Sequence, residues 1–551
     1  VRKQSCQFVA LVLAAVLILA ACGGGNDDAA ETSAEDAGGD SGPTPSGGGT
    51  LIFARGADSS SLDPGSTADG EASRVTVQVF ETLTRFAEDS FEIEPGLAES
   101  WDVSEDGLSY TFHLRKGVEF HDGTPFDADA VIFNFERWSD PEHPYHFAEE
   151  GFIYSSYVNQ FGGLKDDESH VIEEINKIDE HTVEFVLKRP VPAFLQNMAM
   201  SYFGLASPKS LETYGTDIVE HPVGTGPFVF EEWVRDDAIT LVKNENYWQD
   251  GYPLVDRVIF QVIPDNAARL TALQSGEVDI ADGLNPDDLE RVEGDPNVEL
   301  LQRDANNIGY LGFNMEKEPF NDPLVRKAMN YAVNKENLIA TVYNDLAEPA
   351  KNPLPPSYLG YNDDIAPYEY DPEKARDLLA EAGYADGFTF DLWTMPVPRP
   401  YMPDPNRAAE ALQTDFAEIG LTANIVTMEW ATYLDELTQG NQEVYMIGWS
   451  GVNGDPDYFL NNLLAEHSIP DPNYSRYRNR DLTELLLDAQ SVLDEKERAA
   501  MYARAQEIVH EDAAMIPLVH TRPALGVSKR VQDYVPHLSV TEPLTKVHIT
   551  D

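Results

Sequence analysis

The stretch 392–457 constrains the fold more than any other part of the chain. Two strand-like runs, residues 388–392 (Phe-Thr-Phe-Asp-Leu) and 445–447 (Tyr-Met-Ile), each deliver a loop stiffened by Gly or Pro. The first loop reads Trp393-Thr394-Met395-Pro396-Val397-Pro398-Arg399-Pro400-Tyr401. The second reads Gly448-Trp449-Ser450-Gly451-Val452-Asn453-Gly454-Asp455-Pro456-Asp457. Between them, residues 408–419 have a helical pattern that stops at Gly420. Strands alternating with helices call for a layered α/β fold, in which loops at strand ends hold a ligand and regular elements hold the loops. One arginine and several aromatics on such loops suit capture of a small solute without chemistry on it.

The chain has 551 residues, too many for one core, so at least two lobes are expected. Its formal net charge of −58 would repel phosphates over the whole surface and excludes nucleic acid as a partner. A cation-attracting role for that field is weak, because ordinary salt screens it within about 8–10 Å. The two cysteines, Cys6 and Cys22, both fall in the first 25 residues, so the body can hold neither a disulfide framework nor a cysteine metal site.

Arg2 and Lys3 precede an apolar run at 8–21 that is short for a membrane span. The run ends Leu19-Ala20-Ala21-Cys22, which resembles a bacterial lipobox. That implies a signal peptide over 1–21, cleavage before Cys22 and lipidation of that cysteine. Residues 22–49 are dominated by Gly, Ser, Ala, Asp and Glu and cannot offset their ordering entropy, so they read as a disordered tether. The protein is then expected outside the cytoplasm, lipid-anchored to the outer face of the cell membrane.

From Thr50 the chain alternates buried strands and capped helices. Residues 51–54 read as a strand, 74–84 as an amphipathic helix with Val75, Val79, Phe80 and Leu83 on one face, and 110–114 as a strand. Asp127, Asp322-Pro323 and Asp371-Pro372 are helix-start signals, and 482–509 reads as one helix. Five segments, in this order, resemble the extracellular solute-binding proteins of family 5, the receptors of ABC importers. They are 97–137, 222–228 (Pro-Val-Gly-Thr-Gly-Pro-Phe), 270–279, 309–314 and 320–334.

The resemblance implies a type II periplasmic-binding-protein fold with the ligand enclosed between two lobes. Lobe I would comprise 50–304 and 523–551, with an extra subdomain at about 80–220, and lobe II 305–522. It also implies an ABC permease as partner, a monomer, and no cofactor, resident metal or catalytic residue. The first loop looks especially like that of the dipeptide receptors, where the arginine at the position of Arg399 pairs with the peptide carboxylate. A guanidinium fork matches a carboxylate bidentately. Trp430 and Trp449 take positions that line the pocket in those relatives, Tyr401 adds to them, and Gly70 and Glu71 lie where lobe I contributes a contact. One departure stands out. Val452 occupies the place of an aspartate that holds the ligand's ammonium in peptide-binding relatives. A buried ammonium without a carboxylate costs several kcal/mol. Either Glu71 or Asp455 substitutes, or the ligand is N-blocked, cyclic or not a peptide.

Other classes are less well supported. Gly448-Trp449-Ser450-Gly451-Val452 misses the last glycine of a hydrolase nucleophile elbow. The histidine groups His143/His146 and His113/His121 lack clean metal-ligand spacing, which weakens a metal-chelate or haem receptor; a saccharide-type ligand is a further alternative. Gly224-Thr225-Gly226-Pro227 has no lysine to complete a phosphate loop.

Overall fold

The computed structural model describes residues 48–550 apart from Ala68 and Val540. The expected signal peptide, Cys6, Cys22 and the expected tether up to residue 47 lie outside the described residues. Three sheets organise the rest. A seven-stranded sheet runs in the order Val298–Gln302, Ala524–Ser528, Ile280–Asp282, Thr50–Arg55, Arg257–Val262, Ala238–Lys243, Phe228–Val234. A six-stranded sheet runs Ala347–Pro349, Met515–Thr521, Asn307–Phe313, Val444–Ser450, Thr389–Trp393, Thr422–Val426. A four-stranded antiparallel sheet, Ala98–Val103, Ser109–Leu114, Thr182–Leu187 and Ile172–Asp179, forms a subdomain beside the first. Each sheet builds its own core. In the subdomain, Tyr110, Phe112 and Leu114 alternate with half-exposed residues and meet Phe135, Trp138, Phe185 and Phe203. The fold is thus two-lobed and α/β, with the two large sheets as the lobe centres.

The chain passes between these sheets twice, at 303–306 and again at 522–523. The two passages touch: the Arg303 amide donates to the Pro523 carbonyl at 3.0 Å. Arg303 is buried beneath them. It donates to Asp282 at 2.6 Å and, through Nε, to Glu542 at 2.8 Å, while Arg74 reaches Asp282 at 2.6 Å. Burial works to raise the Asp282 carboxyl, but Arg303 and Arg74 overcome it and hold that carboxyl below the usual range.

The helix-start signals are realised as caps. Asp127 accepts from the Ala130 amide, Asp322 from Leu324 and Asp371 from Lys374. Two expectations need correction. The helix expected at 74–84 starts earlier and ends sooner, at Gly70–Val79, and Phe80 is already extended. The cause is the 222–227 segment. A Cβ on Gly224 would stand 2.2 Å from the Val79 carbonyl, and one on Gly226 2.6 Å from that of Gln78. Thr225, Tyr247 and Trp248 then donate to the Glu81 carboxylate and pull the chain off the helical path. The helix expected at 482–509 is two helices, Arg480–Ala489 and Glu495–Glu511, with Asp494 capping the second. The 490–494 break carries Gln490, whose side chain is used at the second loop.

Candidate functional site

Three parallel strands of the six-stranded sheet, Thr389–Trp393, Thr422–Val426 and Val444–Ser450, end on the same side. Each carboxyl end feeds one segment of the expected site, as open α/β sheets favour.

The first loop folds back on itself. The Arg399 amide donates to the Met402 carbonyl at 3.0 Å, and Met402 returns the bond at 2.8 Å, so Pro400 and Tyr401 form the tip. Thr521 donates to the Pro400 carbonyl at 2.9 Å and Tyr343 to that of Tyr401 at 3.2 Å. Tyr401 is buried, its ring pressed on Gly448, where any Cβ would come within 2.3 Å of it. Burial pushes the Tyr401 phenol up to about 12, against the opposing pull of Arg399 beside it. Arg399 itself is half-buried. Its guanidinium lies over the Trp430 ring at 4.8 Å from the centroid, and Trp430 stacks on Tyr433 at 5.6 Å and 12°. The Tyr433 hydroxyl is fixed to the Met446 carbonyl at 2.7 Å. A cation held over an aromatic stack is restrained in position.

The second loop leaves Val444–Ser450 with Trp449 half-buried. Its indole donates to the Tyr458 carbonyl at 2.9 Å, and the two rings are 5.5 Å apart. Burial raises the Tyr458 phenol, with Tyr202 of the facing lobe adding to the effect. Val452 is half-buried and packs on the core of the subdomain. Asn453 donates to the Asn197 side chain of the subdomain at 3.0 Å, and Gly454, at φ +72°, lies against Phe91. Asp455 does not fill the role suggested for it. Both of its oxygens are taken by Arg498, at 2.6 and 2.8 Å, and the pair is buried. Asp457 accepts from Gln490 at 2.9 Å; burial, and then Asp455, push its carboxyl up to about 7.

On the facing lobe, Gly70 and Glu71 open the helix Gly70–Val79, capped by Asp69, which accepts from the Glu71 amide at 3.0 Å. The Glu71 carboxylate stands 3.6 Å from Arg74 Nε. Burial raises it, while Arg74 and Arg55 draw it down. The structure therefore gathers Arg399, Tyr401 and Trp430 into one cluster, while Trp449, on the adjoining strand, packs on the core of its own sheet and Val452, on the loop beyond it, packs on the subdomain. Glu71 sits in the ion cluster of the other lobe. Sequence reasoning missed Asn197, Tyr202, Phe91, Arg189 and Tyr458. Arg189 donates to the Gln490 carbonyl at 3.4 Å and to its side chain at 3.3 Å, across the lobes.

The histidines are otherwise employed. His113 pairs with Asp102 at 2.9 Å, His121 with the Gly226 carbonyl at 2.9 Å and His146 with the Arg137 carbonyl at 2.7 Å. Among the described residues, no group of three or more His, Cys, Asp or Glu is placed to hold a metal ion. No helix among them is long and apolar enough to cross a membrane.

Comparison with known proteins identifies the family. Residues 92–470 match the model for bacterial extracellular solute-binding proteins, family 5 Middle. The chain belongs to family 5 of the solute-binding proteins. It is 42% identical over 469 residues to heme-binding protein A of Haemophilus influenzae, covering 83% of this chain and 84% of that protein. It is 38% identical over 516 residues to the dipeptide-binding protein of Escherichia coli, covering 91% and 93%. Among solved structures, the Helicobacter pylori binding protein DppA in complex with peptide STSA superposes with a TM-score of 0.81 at 36% identity, over 92% of this chain and 99% of that one. Family 5 proteins are extracytoplasmic binding proteins, and solute capture for an ABC importer is the function of this chain.

Proposed function

We propose that the chain captures a dipeptide or another small carboxylate-bearing solute between its lobes and hands it to a membrane permease. The observation that carries this reading is Arg399. It makes no ion pair among the described residues and is held between Trp430 and Tyr401 at the carboxyl end of a parallel strand. A preoriented guanidinium of this kind suits a carboxylate. Names of relatives point the same way, dipeptide-binding in one case and a peptide complex in another.

Lobe I is assigned 50–304 and 523–551, including a subdomain at about 80–220, and lobe II 305–522. Closure turns on the paired passages at 303–306 and 522–523, and the bound solute favours the closed form through contacts to both lobes. Gly70, Glu71, Trp449 and Val452 border the solute. Cys22 carries the lipid, the protein acts as a monomer, and it performs no chemistry on what it binds. Titration calorimetry with Ala-Phe and with N-acetyl-Ala-Phe, on wild type and Arg399→Ala, tests the reading. Loss of roughly 100-fold or more in affinity for any bound carboxylate is expected; unchanged affinity would sink it. Product formation from a peptide and ester library would contradict the absence of chemistry.

A second reading, a haem-chelate receptor, draws on the name of the 42%-identical relative. Saturable haem binding at one site, competed by neither Ala-Phe nor its acetylated form, would favour it.

A further inference from the structure

The residues after Ala524–Ser528 grip the first passage between the lobes at two points. They are fixed to lobe I. Val531, Tyr534, Leu544 and Val547 are buried with Leu51, Phe53 and Phe260 in the core of the seven-stranded sheet. Gln78 donates to the Glu542 carbonyl at 2.8 Å and accepts from the Leu544 amide at 3.0 Å. The His537 ring stacks on Phe86 at 6.0 Å and meets Phe91 edge-on at 5.5 Å. Its Nε2 donates to the Ser90 carbonyl at 3.0 Å, and its Nδ1 accepts from the Ser539 amide at 3.1 Å. A carbonyl only accepts and an amide N–H only donates, so these bonds suit a neutral ring. From this base Glu542 takes Arg303 Nε at 2.8 Å, and the Leu538 carbonyl takes Asn306 Nδ2 at 2.9 Å.

Asn306 is fixed to the other lobe. It precedes the strand Asn307–Phe313, and the Gly451 amide donates to its carbonyl at 2.9 Å, prolonging the ladder with Val444–Ser450. Its Nδ2 also donates to the Gly451 carbonyl at 2.8 Å, and its Oδ1 accepts from the Tyr358 hydroxyl. Position 451 has room only for glycine, since a Cβ there would collide with that hydroxyl and with the Asn306 side chain. Arg303 thus goes with lobe I and Asn306 with lobe II, leaving only Asp304 and Ala305 between the two anchors.

We propose that Asn306 is a positioning residue for solute capture, latching the lobes together through its bond to the C-terminal segment at Leu538. The inference rests on the reading that closure turns on the two passages. When the lobes part, the Gly451 and Tyr358 bonds travel with Asn306, and the Leu538 bond breaks because its donor and acceptor are anchored in different lobes. Phe91 strengthens the same junction, set between His537 and Gly454 with its ring 6.5 Å from that of Tyr358. One net hydrogen bond shifts the ratio of joined to separated lobes roughly two- to tenfold.

The test uses the full chain. Small-angle X-ray scattering reads the separation of the lobes, and calorimetric melting reads stability. Asn306→Ser and His537→Ala act on the latch from opposite lobes, and each should raise the radius of gyration. Tyr358→Phe takes a bond from the same Asn306 side chain without crossing between lobes. It should lower the melting temperature and leave the scattering unchanged, a split that a merely structural role for Asn306 would not produce. Wild-type scattering that requires separated lobes overturns the proposal, as does unchanged scattering in either folded latch variant or an equal rise in Tyr358→Phe. Should Asn306→Ser fail to fold, His537→Ala decides alone. None of these substitutions touches Arg399, so the calorimetry on that residue stands or falls separately.

Discussion

Asp457 shows how one residue can serve structure at a cost that varies with pH. Its carboxyl has an ordinary value of 3.8 and is pushed up to about 7 in the folded protein, first by burial and then by Asp455. Between those values the folded chain binds more protons than the unfolded one, so this group's contribution to stability falls as pH rises from about 4 to about 7. Asp457→Asn removes that dependence. Its melting temperature should exceed that of wild type at pH 8, and the gap should narrow at pH 5. Calorimetric scans at both values check this, and an identical gap at the two would count against it. The neighbouring Asp455 is paired with Arg498 through two bonds and also accepts from the Asp457 amide. Nothing near Asp455 in the sequence announced that, since its partner lies 43 residues along the chain.

Among elements, the helix Gly70–Val79 meets the 222–227 turn in close backbone packing. Gly224→Ala would drive a methyl group into the Val79 carbonyl, at a separation of 2.2 Å. A loss of about 1–3 kcal/mol is expected in urea unfolding; a neutral result would mean that the helix end can shift. Local signals were legible in the sequence because their physics is local. Asp127, Asp322 and Asp371 cap helices with bonds to amides two or three residues away, and alternation alone placed Ser109–Leu114. The end of the helix at Phe80 was not legible, because a glycine turn 144 residues later and the Glu81 carboxylate bonded to Thr225 set it. The 490–494 break was hidden for a related reason: Leu482, Leu486 and Tyr502 are all buried, so apolar spacing carries through it. For the site, the Arg399 and Trp449 loops could be read from composition and turn residues. Of the facing groups, Phe91 and Arg189 are single residues on irregular segments, and Asn197 lies on the six-residue helix Phe194–Ala199, too short to show a period.

At the scale of the whole molecule, a few polar contacts join the two lobes. Asn453 meets Asn197, Arg189 meets Gln490, and Arg407 reaches Asp287 at 3.1 Å. Arg189→Ala combined with Asn453→Ala should release bound solute roughly three- to tenfold faster while leaving association nearly unchanged. Stopped-flow displacement measures this; slower association instead would place these contacts in capture. The double passage between lobes also has a consequence for how the protein is made. Ala524–Ser528 lies inside the seven-stranded sheet, bonded to Val298–Gln302 on one side and Ile280–Asp282 on the other. Lobe II has all its strands by Thr521, but lobe I, although begun first, waits for a strand that is synthesised after the whole of its neighbour. A nascent chain threading outward through a membrane therefore cannot finish its first lobe early, and two open strand edges persist until Ala524–Ser528 arrives. Premature termination before residue 524 would strand the protein with those edges exposed to other chains.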